Sequence, residues 1–172
     1  MLKSYKNLIF ERPAISGFVF LEILIAIALV SVVFITLLSI GLSSLNISAS
    51  IQKTTRADFL IKEEFESLRN FRDGTTWATN GLGMVNTGSS YPYHLVNSSN
   101  NWTLVAGAGA VDSIFVRQII FDKVSRNKIT NDIESVYNAS NDDPDTRMIT
   151  ITVAWPEKTL KVVSYLTNWK ND

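Results

Sequence analysis

The residue types that most often carry catalysis are scarce in this 172-residue chain. It contains one histidine, His94, and no cysteine, so it offers neither a thiol nucleophile nor a disulfide framework. The sequence also has no phosphate-binding loop and no His-Glu-x-x-His metal motif. His94 follows Tyr-Pro-Tyr, a context that predicts a histidine in a surface loop. These features argue against an enzyme, and we expect no cofactor.

Three aspartates, Asp142, Asp143 and Asp145, are the residues best suited to hold a metal. Together with main-chain carbonyls they could supply the oxygen ligands that Ca²⁺ prefers. Their spacing does not match the calcium loop of a helix-loop-helix motif, and a polar turn in contact with water is the favoured interpretation. They are weak metal candidates, and we expect no metal site.

A different carboxylate, Glu22, stands alone in an apolar stretch. No other charged residue occurs between Gly17 and Lys53, and about 20 apolar residues in a helix suffice to cross the hydrocarbon core of a membrane. A charged side chain in such a helix costs on the order of 2.5 to 3.5 kcal/mol by insertion scales unless it has a partner. We therefore expect Glu22 to be paired.

The segment before this stretch indicates the partner. It carries three bases, Lys3, Lys6 and Arg12, and it ends in Gly17 directly before Phe18. A secretory signal has its small-residue cleavage site after the apolar core, whereas here the small residue precedes it. The order of basic leader, Gly, Phe, three residues, Glu and long apolar helix resembles the class III signal of type IV prepilins.

This resemblance implies that a prepilin peptidase cuts between Gly17 and Phe18 and methylates the new amino terminus of Phe18. Glu22 would then be the fifth mature residue, and its carboxylate could pair with the amine of a neighbouring subunit in a filament. Losing one member of such a buried pair costs about 3 to 5 kcal/mol, so the pair would select one axial register. The alternative is a plain single-pass anchor with an interfacial Glu. Val19 and Phe20 stand where the family commonly has Thr-Leu, and both are apolar.

One helix must carry these residues. No proline interrupts a helical pattern from Phe18 to about Arg72, and Gly74 is a typical helix terminator. The second half has an apolar stripe at spacings of three and four, formed by Ala57, Leu60, Ile61, Phe65, Leu68 and Phe71. We expect ion pairs four residues apart on its other face, Lys62 with Glu66 and Arg69 with Asp73. Whether the helix melts at Ser39–Ser44 in a filament stays open, because Gly and Ser are poorer helix formers than their neighbours.

The rest of the chain predicts strands. Residues 75–101 are predicted to be loop with at most short strands, and Asn138–Asp145 is predicted to be a polar loop. Alternating or β-branched residues predict three or four antiparallel strands, within Trp102–Val105, Ser113–Val124, Arg147–Trp155 and Thr159–Trp169. The predicted fold class is α+β, in which a long N-terminal helix packs on a small antiparallel sheet. This is also the type IV pilin layout.

The predicted organisation is a leader at 1–17, a membrane or filament-core helix at 18–45, and a globular head at 46–172 that includes the amphipathic helix at about 46–72. The basic leader predicts a cytoplasmic N-terminus. The formal net charge of zero argues against bulk nucleic-acid binding.

Several surface hypotheses remain open. Aromatic residues around the loop either form an adhesive surface or, as we favour, pin the loop onto the sheet: Trp77, Tyr91, Tyr93 and Trp102. Lys123, Arg126 and Lys128 could contact DNA phosphates, but Asp122 and Asp132 weaken that patch. Four Asn-x-Ser/Thr triplets, which begin at Asn46, Asn97, Asn101 and Asn138, are expected by chance in this composition.

The favoured function is a structural type IV pilus subunit, major or minor, that supports adhesion, motility or DNA uptake. It would be stored in the inner membrane and polymerise through its helix into an extracellular pilus. The implied partners are other pilin subunits, the prepilin peptidase, and the assembly platform with its ATPase. One alternative is a pseudopilin of a type II secretion or competence system. An alternative of another class is a monomeric bitopic membrane-anchored binding protein.

Overall fold

A computed structural model describes residues 17–98 and 101–170 of the chain. A single helix, α1, spans Gly17–Gly74, as predicted from the absence of proline. The chain separates into two compact units between Ser50 and Ile51, and each is described in turn.

In the first unit, every described residue is helical and exposed. Within the described residues, α1 is the one helix that is long and apolar enough to cross a membrane. Two serine hydroxyl groups in this segment bond back to the main chain: Ser31 Oγ donates to the Ile27 carbonyl at 2.7 Å, and Ser39 Oγ donates to the Ile35 carbonyl at 3.0 Å. These side chains therefore bring no unpaired donor into an apolar environment. Residues 39–44 are helical here.

The second unit is an antiparallel sheet covered on one face by the second part of α1. Six strands follow the helix within the described residues: β1 Tyr93–Ser98, β2 Asn101–Ala106, β3 Gly109–Val111, β4 Phe115–Ser125, β5 Asp142–Trp155 and β6 Lys158–Thr167. The strand order is β2-β1-β4-β5-β6, and β3 also pairs with β4. All pairings are antiparallel. The coarse prediction of an α+β fold is confirmed.

Two details of the strand prediction are wrong. The described sheet has six strands and not three or four, because β1 and β3 are short and lie among Gly, Ser and Asn residues that favour loops. The last four residues of the predicted loop 138–145 belong to β5, which begins at Asp142. Asp142 pairs with Ser125 and Asp143 with Val124, beyond an irregularity at which β5 has three extra residues. This pairing outweighs the low strand propensity of aspartate.

The core lies between the predicted helix stripe and the inner face of the sheet. Ala57, Leu60 and Leu68 are at most 1% exposed, and Phe65 and Phe71 pack at the margin. The alternating residues of β5 are buried as predicted: Ile149, Ile151, Val153 and Trp155.

The predicted ion pairs on the outer face of α1 are wrong in their partners. Lys62 pairs with Asp58 at 2.8 Å, Arg69 with Glu66 at 3.0 Å, and Asp73 with Arg72 at 2.8 Å. Each base has acids within reach in both directions along the helix, so spacing alone does not choose between them.

Candidate functional site

Glu22 lies on the first turns of α1 among large apolar side chains. A shallow hollow of about 240 Å³ is lined by Phe18, Leu21, Glu22 and Ile25. Phe18 and Ile25 lie four residues before and three residues after Glu22, so they share its helix face. The side chain of Phe18 is 73% exposed. This surface is suited to a partner that carries a positive charge within an apolar contact.

The predicted leader, with Lys3, Lys6 and Arg12, lies outside the described residues. Gly17 is the first described residue and lies in α1. The predicted cleavage between Gly17 and Phe18 would leave α1 from Phe18 onward on the mature chain.

In the head, an ion pair lies where strand β1 separates from strand β4. The ladder between β1 and β4 has one residue pair, Tyr93 with Ile119, and β3 then takes over the pairing with β4 at Gly109 and Arg117. Two residues beyond Tyr93, the main chain of Leu95 bonds to side chains instead. Its N–H donates to Glu64 Oε1 at 2.8 Å, and its carbonyl accepts from Arg117 Nη2 at 2.9 Å.

Glu64 and Arg117 also bind each other, with 2.9 Å between Arg117 Nη1 and Glu64 Oε2. Glu64 is 0% exposed, and burial raises its pKa above the ordinary value of 4.5, although the Leu95 N–H, Arg117 and His94 act in the opposite direction. A charge pair thus takes the place of a strand partner for Leu95. Since one partner comes from α1 and the other from β4, the pair ties helix, β1 and β4 together.

Sequence reasoning missed Glu64, yet its position carried a signal. It lies four residues after Leu60, three after Ile61 and four before Leu68, on the apolar stripe itself. A carboxylate at a core-facing helix position needs a buried cation or several N–H donors, and Arg117, in the predicted strand Ser113–Val124, was an available match.

Two further ion pairs join the beginning of the amphipathic helix to turns of the sheet. Arg56 donates to Asp112 Oδ2 from Nε at 3.0 Å and from Nη2 at 2.7 Å, and Lys53 Nζ lies 2.6 Å from Glu157 Oε1. Asp112 and Ser113 both have positive φ, 52° and 57°, the conformation of a tight hairpin turn between β3 and β4. Both pairs are well exposed, so they orient the turns more than they stabilise the head.

The three candidate aspartates do not converge. Asp142 Oδ1 accepts from Tyr137 Oη at 2.9 Å, Asp143 Oδ2 from Arg126 Nε at 2.6 Å, and Asp145 Oδ1 from Asn168 Nδ2 at 3.1 Å. Among the described residues, no group of three His, Cys, Asp or Glu side chains could hold a metal ion. These carboxylates serve as hydrogen-bond acceptors that order the first residues of β5.

The predicted loop residue His94 is placed differently. It lies in β1, half-buried, with Nδ1 2.9 Å from the Gly107 carbonyl. The prediction of a surface loop histidine is wrong because the strand β1 forms within the polar region.

Three of the four aromatic residues near the loop pack against the sheet. Trp77 is 5% exposed and its Nε1 donates to the Pro144 carbonyl at 3.0 Å. Tyr93 makes an edge contact with Phe121 at 5.7 Å, and Trp102 is half-buried at the core margin. Tyr91 is 50% exposed. The favoured pinning role therefore fits Trp77, Tyr93 and Trp102.

One of the basic residues considered for DNA contact, Arg126, has hydrogen-bond partners within the head. Arg126 bonds to Asp143 and also donates from Nη1 to the Asn131 carbonyl at 3.1 Å. Its guanidinium is therefore engaged within the head, which weakens a phosphate-binding patch with Lys123 and Lys128.

No protein-family model, curated protein or solved structure matches this chain.

Proposed function

We propose that this chain is a structural subunit of a type IV pilus-like filament, processed ahead of its apolar helix and polymerised through that helix. In this proposal the chain rests in a membrane with its N-terminus in the cytoplasm, and the head later forms part of an extracellular filament surface. The partners would be other subunits of the same kind, a prepilin peptidase, and an assembly platform with its ATPase.

The observation that carries the proposal is the position of Glu22. It is the one charge in an exposed, fully helical apolar segment, and it lies one turn from Phe18, where the resemblance places the mature amino terminus. In an apolar filament core, the amine at Phe18 of one copy could pair with the Glu22 carboxylate of another copy. Each charge would then offset the free-energy cost of burying the other.

The order of the elements also supports the proposal. The apolar half of one helix is followed, without a break in α1, by an amphipathic half whose stripe packs on an antiparallel sheet. An anchor that serves only to tether a head has no need of this continuous helix.

The first experiment is intact-mass analysis of the protein purified from its native membrane. The proposal predicts a chain that begins at Phe18 and carries one N-methyl group. A mature protein that still contains Met1 to Gly17, or one cut after the apolar stretch, would contradict it.

The second experiment compares Glu22→Ala with Ser31→Ala, a polar-to-apolar change on the same helix. Glu22→Ala should be processed at Gly17 but fail to form ordered filaments, whereas Ser31→Ala should assemble. Unchanged behaviour of Glu22→Ala would instead favour the monomeric membrane-anchored binding protein.

A third experiment measures the abundance of this chain in purified surface filaments. A high share indicates a major pilin and a low share a minor pilin, whereas consistent absence of the chain from the filaments favours a pseudopilin.

A further inference from the structure

A cavity of about 280 Å³ opens on the face of the sheet that points away from α1. Its floor is a row of residues on three adjacent strands: Asp122 of β4 pairs with Met148 of β5, which pairs with Tyr165 of β6. Their neighbours Phe121 and Ile149 point into the core, so these three side chains face outward. The other lining residues are Lys123, Val124, Ser125, Ile133, Glu134, Ser135 and Tyr137.

The strand beneath the cavity is distorted where the cavity opens. The register of β4 against β5 shifts between Lys123 and Val124, and both residues line the cavity. Pro144, Asp145 and Thr146 of β5 intervene between the partners of Lys123 and Val124. Irregularities of this kind bend a strand and change the direction of its side chains, and they are over-represented at sheet edges and next to active sites.

The wall formed by residues 133–137 is held in place by hydrogen bonds. The Glu134 N–H donates to the Ser125 carbonyl at 2.9 Å, and the Asn138 N–H donates to Ser125 Oγ at 3.0 Å. Asn141 Nδ2 donates to Glu134 Oε1 at 2.9 Å, and Tyr137 Oη donates to Asp142. Ser125 is itself 1% exposed. The cavity is therefore preformed, so a ligand would lose little free energy in ordering it.

One polar atom at this wall is unsatisfied. Glu134 Oε2 is shielded from solvent and has no hydrogen-bond partner among the described residues, although Oε1 of the same carboxylate is bonded. A buried acceptor without a donor is unfavourable. A rotation of the Glu134 carboxyl group towards the cavity would let an N–H donor of a bound ligand satisfy this oxygen.

The residues that line the cavity favour a ligand whose N–H donor is positively charged. The lining residues include two carboxylates, Asp122 and Glu134, and one base, Lys123, and two tyrosine rings with Met148 supply polarizable apolar surface. Carboxylates with aromatic faces attract organic cations, and the volume accommodates an alkyl chain. A divalent metal is disfavoured, because no three suitable ligands come together among the described residues.

We propose that this cavity binds a primary alkyl-ammonium group, with the ammonium at Glu134 and Asp122 and the alkyl chain against Met148, Tyr137 and Tyr165. The group could belong to a small amine or to a lysine side chain of a partner protein, since the two share this chemistry. The proposal concerns the outer face of the head and does not rest on the filament function.

The test uses the full chain in detergent micelles with ¹³C-labelled methionine methyl groups. Met148 lines the cavity, whereas Met84 is exposed elsewhere, so Met84 is an internal control, and Met148→Leu assigns the signals. Titration with n-butylammonium should give a saturable shift of the Met148 methyl signal, and n-butanol, which lacks the charge, should not.

Glu134→Gln should weaken binding about ten-fold or more, because a charge-assisted hydrogen bond becomes a neutral one. Asp132→Asn removes a carboxylate from the same loop but outside the cavity lining, and it should leave the affinity unchanged. Equal shifts with butanol, no saturable shift, or equal weakening by both variants would each refute the site.

Asp122→Asn provides a second variant, should Glu134→Gln disturb the wall. It should also weaken binding, whereas an unchanged affinity would contradict the assigned ammonium position. Nα-acetyl-lysine methylamide distinguishes the two sources of the group. Binding of both probes indicates that a lysine side chain of a protein can enter, and binding of n-butylammonium alone restricts the site to small amines.

Discussion

Glu64 and Arg117 form an ion pair at the point where β1 leaves β4, and each also bonds to one main-chain group of Leu95. The carboxylate and the guanidinium thereby replace a missing strand partner. Because both groups are largely buried, the attachment of the β1–β2 hairpin to the rest of the sheet depends on a charge pair and not on a continuous ladder.

Removing one member of this pair should be costly. Glu64→Gln should lower the free energy of unfolding of the head by about 1 to 3 kcal/mol, because its amide NH2 would meet either the Leu95 N–H or the Arg117 guanidinium, and one of these buried donors would lose its acceptor. Urea unfolding of the full chain in micelles, followed by tryptophan fluorescence, measures this change.

The matched control is Glu63→Gln. Glu63 also approaches Arg117, at 3.4 Å, but its side chain is 51% exposed, so its loss should change the free energy of unfolding by less than about 0.5 kcal/mol. Similar effects of the two variants would show that the buried pair has no special role.

The stability of the head should also depend on pH through Glu64. Its pKa is raised in the folded state by burial, so above 4.5 the folded state binds more protons than the unfolded state. The free energy of unfolding should therefore increase as pH falls through the folded pKa of Glu64 towards 4.5. Denaturant titrations from mildly alkaline pH down to 4.5 should show this slope in the native chain and a flatter one in Glu64→Gln.

At lower pH two other carboxylates reverse the trend. Arg72 and Trp169 hold the pKa of Asp73 below 3.8. Burial alone would raise the pKa of Asp143, but hydrogen bonds from Thr146 and Arg126 outweigh it and hold that pKa below 3.8 as well. Their stabilisation is lost as pH falls through these lowered values. A stability that rises monotonically into strong acid would contradict this assignment.

Gly83 should not tolerate a side chain. A Cβ at this position would lie 2.6 Å from the Trp77 carbonyl oxygen and 2.7 Å from its ring carbon Cδ1. We expect Gly83→Ala to lower the free energy of unfolding by about 1 to 3 kcal/mol, the usual cost of overpacking. Gly74→Ala, where nothing lies within 4 Å of the added atom, is the control and should change stability less, as measured in the same unfolding assay.

The C-terminal residues should hold the end of α1. Trp169 Nε1 donates to Asp73 Oδ1 at 2.9 Å, and Lys170 Nζ donates to the Asp73 carbonyl. Truncation after Thr167 should therefore speed amide hydrogen exchange in the last turn of α1, because carbonyls at a helix end need such donors. Trp169→Phe keeps an aromatic ring but loses the Nε1–H donor, and it should give a smaller increase in exchange. Unchanged hydrogen exchange in both variants would show that the residues after Thr167 do not stabilise the end of α1.

Local patterns in the sequence determined the long helix, its apolar first half with Glu22, the stripe from Ala57 to Phe71, and the alternation of β5. Each depends on residues near one another in the chain, through a period of 3.6 or 2 and a glycine near the helix end. These features were sufficient to predict an α+β fold before any tertiary contact was known.

Only the tertiary structure decided how distant residues meet. Leu95 finds its partners 31 residues away in Glu64 and 22 residues away in Arg117, and Asp142 and Asp143 become strand residues through pairing with β4. The cavity over Asp122, Met148 and Tyr165 likewise exists only because three strands place these residues in one row. Long-range pairing and burial fix such relationships, and neither is encoded in the spacing of neighbouring residues.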